Sequence, residues 1–143
     1  PKRTFSALTS APSAGVCGRY SSAQTGAQAE FASITHWNVG KVAALCHRLA
    51  ALDDGNGQTV LDNSVVFLGA AMHGSDFQCV NLPALLLGSG GGVLKTDQHV
   101  TLTNRPLRDL YFSLMNGVYD MDVGDFGANR NGHGLTRISE LFV

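Results

Sequence analysis

The sequence has no apolar run approaching the roughly 20 residues that a helix needs to cross a bilayer, so no membrane span is expected. It also lacks an excess of either charge: ten Lys plus Arg stand against eleven Asp plus Glu, and the basic residues are scattered. A nucleic-acid-binding face concentrates positive charge, so this composition argues against nucleic acid as a partner. Cysteine is scarce. Cys17, Cys46 and Cys79 are an odd number at wide spacing with no CxxC pair, which implies neither a zinc knuckle nor a disulfide framework. Two readings stay open: three small thiols, buried or half-exposed, or one disulfide with one thiol left over. The first residues, PKRTFSALTSAPSAG, have no initiator Met and no apolar centre of a signal peptide. They read as an internal or processed end, and the compartment cannot be taken from them.

What is present is a chain of 143 residues, 44% of them hydrophobic, which is enough to build a core. Residues 1–30 are rich in Ser, Ala, Gly, Thr and Gln, with Phe5, Leu8, Val16 and Tyr20 as the main anchors. Such a segment orders itself only against a body or a partner, so an irregular amino-terminal arm is expected there. From Phe31 the pattern becomes helical. Val42, Leu45, Leu49 and Leu52 recur at intervals of three and four, Ser33 or Thr35 is the candidate N-cap, and Trp37 falls at the edge of the stripe. DDGNG at 53–57 stops this helix. His36 and His47 lie about 16 Å apart along it at 1.5 Å per residue, too far to share a metal.

The chain is organised around Leu61–Gly92. Ser64–Ala71 and Leu82–Leu87 are short apolar runs that read as buried strands, and Val65–Leu68, apolar on both faces, suits the middle of a mostly parallel sheet. Only about a dozen residues separate the two runs, short for a parallel crossover, so their pairing with each other stays open. The intervening loop carries His73, Asp76 and Cys79 at the carboxyl end of the first run, where open α/β sheets place ligand sites. The glycines after Ser89 form a turn rather than a phosphate loop, since no GK[ST] follows. Val93–Thr96 and His99–Leu102 fit a small hairpin.

Thr103 or Asn104 can cap a second helix with Pro106 in its first turn, an apolar stripe of Leu107, Leu110, Tyr111, Leu114 and Met115, and Gly117 at its end. Arg105 and Arg108 stand at its amino end, against the helix dipole, where they are candidates for holding an anion or a partner carboxylate. The acidic run Asp120, Asp122, Asp125 lacks the spacing and terminal glutamate of an EF-hand. Ile138, Leu141 and Phe142 should dock on the body as a short strand or a helical turn.

Several stretches in order, HWNVGKVAALCHRLAAL, LDNSVVFLGA, NLPALLLGSGGGVLKT and NRPLRDLYFSLMNGV followed by DFG, resemble the carboxyl-terminal part of a bacterial family. Its members are exported proteins of unknown function, often with twin-arginine signals, similar to the alkaline phosphatase and sulfatase superfamily. The match covers roughly Ile34 to Gly127. The resemblance implies an α/β fold, part of an alkaline-phosphatase-like sandwich, with a short central sheet flanked by helices, residues 31–143 being one portion of a larger sheet. It also implies a periplasmic or extracellular location. Superfamily enzymes hold divalent metals on loops at strand ends and use them on phosphoryl or sulfuryl groups.

Where many members have Asp-His-Gly, this chain has Met72-His73-Gly74, and a thioether is a poor ligand for a hard cation. Where a second ligand histidine belongs, it has Gln78, Cys79 and Val80. The nucleophile and first ligands belong to an amino-terminal half that this sequence does not contain. The leading expectation is therefore a non-catalytic structural or interaction subunit without a cofactor, associating with another chain or with itself. The alternative is a metal-dependent phosphate or sulfate ester hydrolase completed by another chain, with His73, Asp76 and Cys79 on zinc or another divalent metal.

Overall fold

The computed structural model describes residues 25–70, 82–103, 105–125 and 134–143, the first four of them by backbone alone. The chain is mixed α/β, with two helices and two small two-stranded antiparallel sheets among these residues. It divides into two units, residues 1–48 with 67–86 and residues 49–66 with 87–143.

Most of the first unit's described part is helix α1, Thr25–Ala50. The helix starts six residues before the expected onset at Phe31. Ala27, Gln28, Ala29 and Glu30 are all good helix formers, so the helix extends back into a stretch whose composition suggests an irregular arm. Ser33 lies inside it and caps nothing: its hydroxyl donates to Ala29 O at 2.9 Å, the back-bonding open to a serine in mid-helix. Of the expected stripe, Val42 and Leu49 are half-buried while Leu45 and Leu52 are exposed. Trp37 is half-buried, with Lys41 Nζ 5.1 Å above its ring.

Four strands follow: β1, Asp53–Gly55; β2, Gln58–Thr59; β3, Val66–Gly69; and β4, Ala84–Leu87. The two apolar runs, β3 and β4, do pair with each other, as an antiparallel ribbon rather than as neighbours in a parallel sheet. The ribbon is extended by Ala70 N–H donating to Pro83 O at 3.3 Å. A dozen-residue connection returns easily to an antiparallel neighbour and is short for a parallel crossover. Val66, Phe67 and Leu68 are half-buried, and Leu85 is 50% exposed.

In the second unit, DDGNG does more than end the helix. Asp53–Gly55 and Gln58–Thr59 pair as a hairpin, Asp53 opposite Thr59 and Gly55 opposite Gln58. Asn56 and Gly57, at φ 56° and 78°, form the turn, the positive-φ pair that matches the twist of a two-residue hairpin. The chain leaving β2 then closes the end of α1, with Val60 N–H donating to Leu52 O at 2.9 Å and Leu61 N–H to Leu49 O at 3.3 Å.

Thr59–Ser64 is a tight turn with a reciprocal box. Asp62 Oδ2 accepts from the Thr59 amide and hydroxyl, both at 2.8 Å, and the Asp62 amide donates to Thr59 Oγ1 at 3.2 Å. These bonds, the backbone one foremost, hold the Asp62 carboxyl below the ordinary carboxylate range. A carboxyl with a lowered folded pKa contributes stability that is full above its unfolded pKa of about 3.9 and is lost as the pH falls through the folded value. The stability difference between wild type and Asp62→Asn is therefore expected to be constant from pH 7 to about 5 and to shrink below about 4, measured by urea unfolding across that range.

The glycine-rich turn clasps this box. Ser89 Oγ donates to Asp62 O at 2.7 Å, Gly91 N–H donates to the same carbonyl at 2.8 Å, and Gly90 N–H donates to Ser64 O at 3.1 Å. Its amides are committed to the chain's own carbonyls, which fits a structural turn and not a phosphate cradle.

The expected hairpin over 93–102 does not form. Leu94 instead bridges antiparallel to Phe142, Lys95 N–H donates to Leu141 O at 2.8 Å, and Val143 N–H donates to Val93 O at 3.2 Å. The carboxyl terminus takes the edge that His99–Leu102 was expected to fill. Helix α2, Leu107–Gly117, has Pro106 at its N-cap with no side-chain cap, so Thr103 does not close it, and Asn104 lies outside the described residues. Leu110 and Leu114 of its stripe join Leu94 and Ile138 as the buried apolar core. The carboxyl end docks as expected, through a 3₁₀ turn at Ser139–Leu141 followed by the Phe142 bridge. Gly117 ends α2 where the Phe142 ring lies against it, in space that a Cβ would occupy.

Candidate functional site

His73, Asp76 and Cys79 lie outside the described residues, as does His133. Among the described residues no three His, Cys, Asp or Glu side chains are grouped to hold a metal. Asp120 and Asp122 adopt φ of 49° and 50° in an exposed loop. That loop is closed by Asn116, whose amide group donates to Val123 O at 3.0 Å and accepts from Val123 N–H at 2.7 Å. His36, His47 and His99 are exposed, and Cys46 is a half-buried free thiol.

The arginine pair stands at the start of α2. Arg105, just before the helix, reaches Asp109 in its first turn, with Nε 3.4 Å from Oδ2. Its Nη2 donates to Thr136 O at 3.1 Å and to Arg137 O at 3.0 Å. The carboxylate that this arginine holds thus belongs to the chain itself. Arg108 is half-buried three residues further on.

Asp109 is 2% exposed and Ser113 fully buried, a polar pair at i, i+4 on the face that also buries Leu110 and Leu114. Burial of a charged or polar group is costly unless it is paired, and both are paired here. Asp109 Oδ1 accepts from Thr136 N–H at 3.3 Å. Ser113 Oγ donates to Asp109 O at 2.6 Å and accepts from Ile138 N–H at 2.8 Å. Arg105, Asp109 and Ser113 therefore form a ladder that receives the backbone of Thr136–Ile138, whose Ile138 side chain is 1% exposed. The cation of Arg137 stacks 4.1 Å over the Phe142 ring and extends the clasp to the terminus.

Chemically, this arrangement fastens rather than reacts. The Ser113 proton is donated to a carbonyl of its own helix, one of its lone pairs is engaged by an amide, and no solvent reaches it, so it does not meet the requirements of a nucleophile. Asp109 is neutralised by Arg105 and faces backbone. The polar positions of this ladder carry no motif, and only the i, i+4 spacing of Asp109 and Ser113, with Arg105 four residues before Asp109, marks them in the sequence.

A second concave feature runs along α1, an open depression lined by Ser33, His36, Trp37, Gly40, Lys41 and Ala44. All six belong to one helix at helical spacing, so it is a groove in one side of a rod with no second wall among the described residues. No helix among the described residues is long and apolar enough to cross a membrane. No family model matches the chain, and no curated protein or solved structure is significantly similar to it.

Proposed function

We propose that this chain is a non-catalytic structural or interaction subunit of an exported assembly, built on a piece of an alkaline-phosphatase-like sandwich, and that it works by associating with another chain or with a second copy. The observation that carries the reading is apolar surface left open on regular elements. The β3–β4 ribbon has two strands of four residues with Leu85 50% exposed, and α1 exposes Phe31, Val39 and Leu45. Two-stranded ribbons are marginal in water and gain stability when a further strand or helix covers them. The polar side chains buried in α2 support the same reading, because they bind the chain's own backbone and leave no reactive group at a surface.

Intact mass of the purified 143-residue chain by light scattering, with metal analysis and a phosphate- and sulfate-ester assay, tests this. The expected result is a self-associated or partner-bound species with substoichiometric metal and no hydrolysis. A monomer that carries stoichiometric zinc, hydrolyses esters and loses both with His73→Ala would overturn the proposal in favour of a metal-dependent hydrolase.

A further inference from the structure

We infer that the partner of α1 is α1 of a second copy, packed antiparallel about a two-fold axis that crosses the stripe at the level of residues 38–40. This rests on the interaction reading above and names the partner. At about 100° per residue, Phe31, Ile34, Val42, Leu45 and Leu49 fall within an arc of about 80° on the helix, a stripe of the width that helix pairs use. Ile34, Val42 and Leu49 are half-buried, whereas Phe31 is 38% and Leu45 46% exposed. The stripe runs from Phe31 to Leu49, about 27 Å along the helix at 1.5 Å per residue, long enough to be a seam and not a spot.

The charges choose the partner. Glu30 and Arg48 are exposed and 18 residues apart, five full turns, so they stand on one line beside the stripe at its two ends. In an antiparallel pair, like flanks face each other, and the second copy brings its Arg48 to Glu30 and its Glu30 to Arg48. In a parallel pair the same flank lies on opposite sides of the seam, and these charges never meet. Trp37 and Lys41 stand on this flank as well, at equal distances from Val39, so the same axis sets Lys41 of each copy across from Trp37 of the other. Lys41 already lies over its own Trp37 ring at 5.1 Å. Asn38, exposed at the centre of the arc, falls next to its own copy at the axis, where one polar residue in an apolar seam fixes register and orientation.

The test uses the full 143-residue chain with Cys17, Cys46 and Cys79 replaced by serine, and introduces Asn38→Cys or Leu49→Cys singly. Under mild oxidation, Asn38→Cys is expected to form a disulfide-linked dimer and Leu49→Cys is not, because the two copies of position 49 lie about 30 Å apart along the antiparallel pair. In the wild type, Leu45→Asp is expected to weaken the dimer by about 100-fold or more. Arg48→Glu should weaken it by about fivefold, with recovery in the double variant Glu30→Arg, Arg48→Glu. Circular dichroism of each variant confirms that α1 is intact.

Cross-linking of Leu49→Cys as readily as Asn38→Cys would overturn the antiparallel pairing. A dimer untouched by Leu45→Asp would overturn the seam and leave the interaction reading standing on another surface, as would a wild-type chain recovered only with a different partner. An active zinc-loaded monomer would overturn both.

Discussion

Asp109→Ala is expected to cost about 3 kcal/mol of folding stability, among the largest losses available to a single side chain outside the apolar core. Its carboxylate is 2% exposed and stands between Arg105 Nε at 3.4 Å and the Thr136 amide at 3.3 Å. Truncation leaves a cation whose Nε is buried without its counter-charge and an amide without its acceptor. Breaking a buried pair from one side ordinarily costs about 3–5 kcal/mol. The Arg105 side chain is 26% exposed and retains some hydration, which places the loss at the low end.

Two comparisons separate the charge pair from simple packing. Asp109→Asn keeps an acceptor for the Thr136 amide and should lose about half as much. The double variant Arg105→Met, Asp109→Leu should be more stable than Asp109→Ala alone, because it removes both charges together. Urea unfolding followed by far-ultraviolet circular dichroism measures all three. If Asp109→Ala moves the midpoint no further than Asp125→Ala at an exposed position, the ladder is not what fastens the terminus.

The same ladder shows where sequence reasoning stops. Periodicity finds α2, since Leu110 and Leu114 sit on a stripe whose spacing alone identifies a buried face. It picks out neither Asp109 nor Ser113, which lie off that stripe, where polar residues are exposed by default. Their burial depends on amides at Thr136 and Ile138, 27 and 25 residues away, and no local pattern encodes that meeting. Gly117 has a similar history. It reads as the end of the helix, and it is the last residue of α2, but the ring of Phe142 against it supplies a reason for glycine that spacing cannot reveal.

The β1–β2 hairpin is built on residues that the sequence reading takes only as a helix stop. Asn56–Gly57 is the strongest short hairpin signal, and it is obscured because the same residues also suit a helix stop. At the start of α1, composition favoured an arm and propensity favoured a helix, and propensity prevails through Ala27 to Glu30. For the candidate metal ligands the loop position is legible and the geometry is not: His73, Asp76 and Cys79 are close in sequence but lie outside the described residues. The two apolar runs are readable as strands, but the length of their connection only disfavours a parallel crossover, and their antiparallel partnership comes from the structure.

Gly88→Ala carries the other large expected effect, a loss of about 3 kcal/mol or more, and it tests the packing of turn on turn. Gly88 has φ 92°, which costs an L-residue about 1–3 kcal/mol by itself. A Cβ there would also press on two backbone carbonyls, Ser64 O and Leu61 O, the latter at 2.6 Å. Neither carbonyl can yield as a side chain does. Ser64 O accepts the Gly90 amide at 3.1 Å, and Leu61 O accepts the Ser64 amide at 3.1 Å, so any shift loosens the clasp on the Asp62 box. Gly92 provides the control: it has φ 84° but open space where its Cβ would stand, and Gly92→Ala should cost only the conformational part, about 1 kcal/mol. Thermal and urea unfolding of the two variants distinguish the mechanisms. A loss at Gly88 well beyond that at Gly92 locates the cost in the close approach of two backbones, whereas equal losses would mean that φ alone sets it and that the turns can move apart freely.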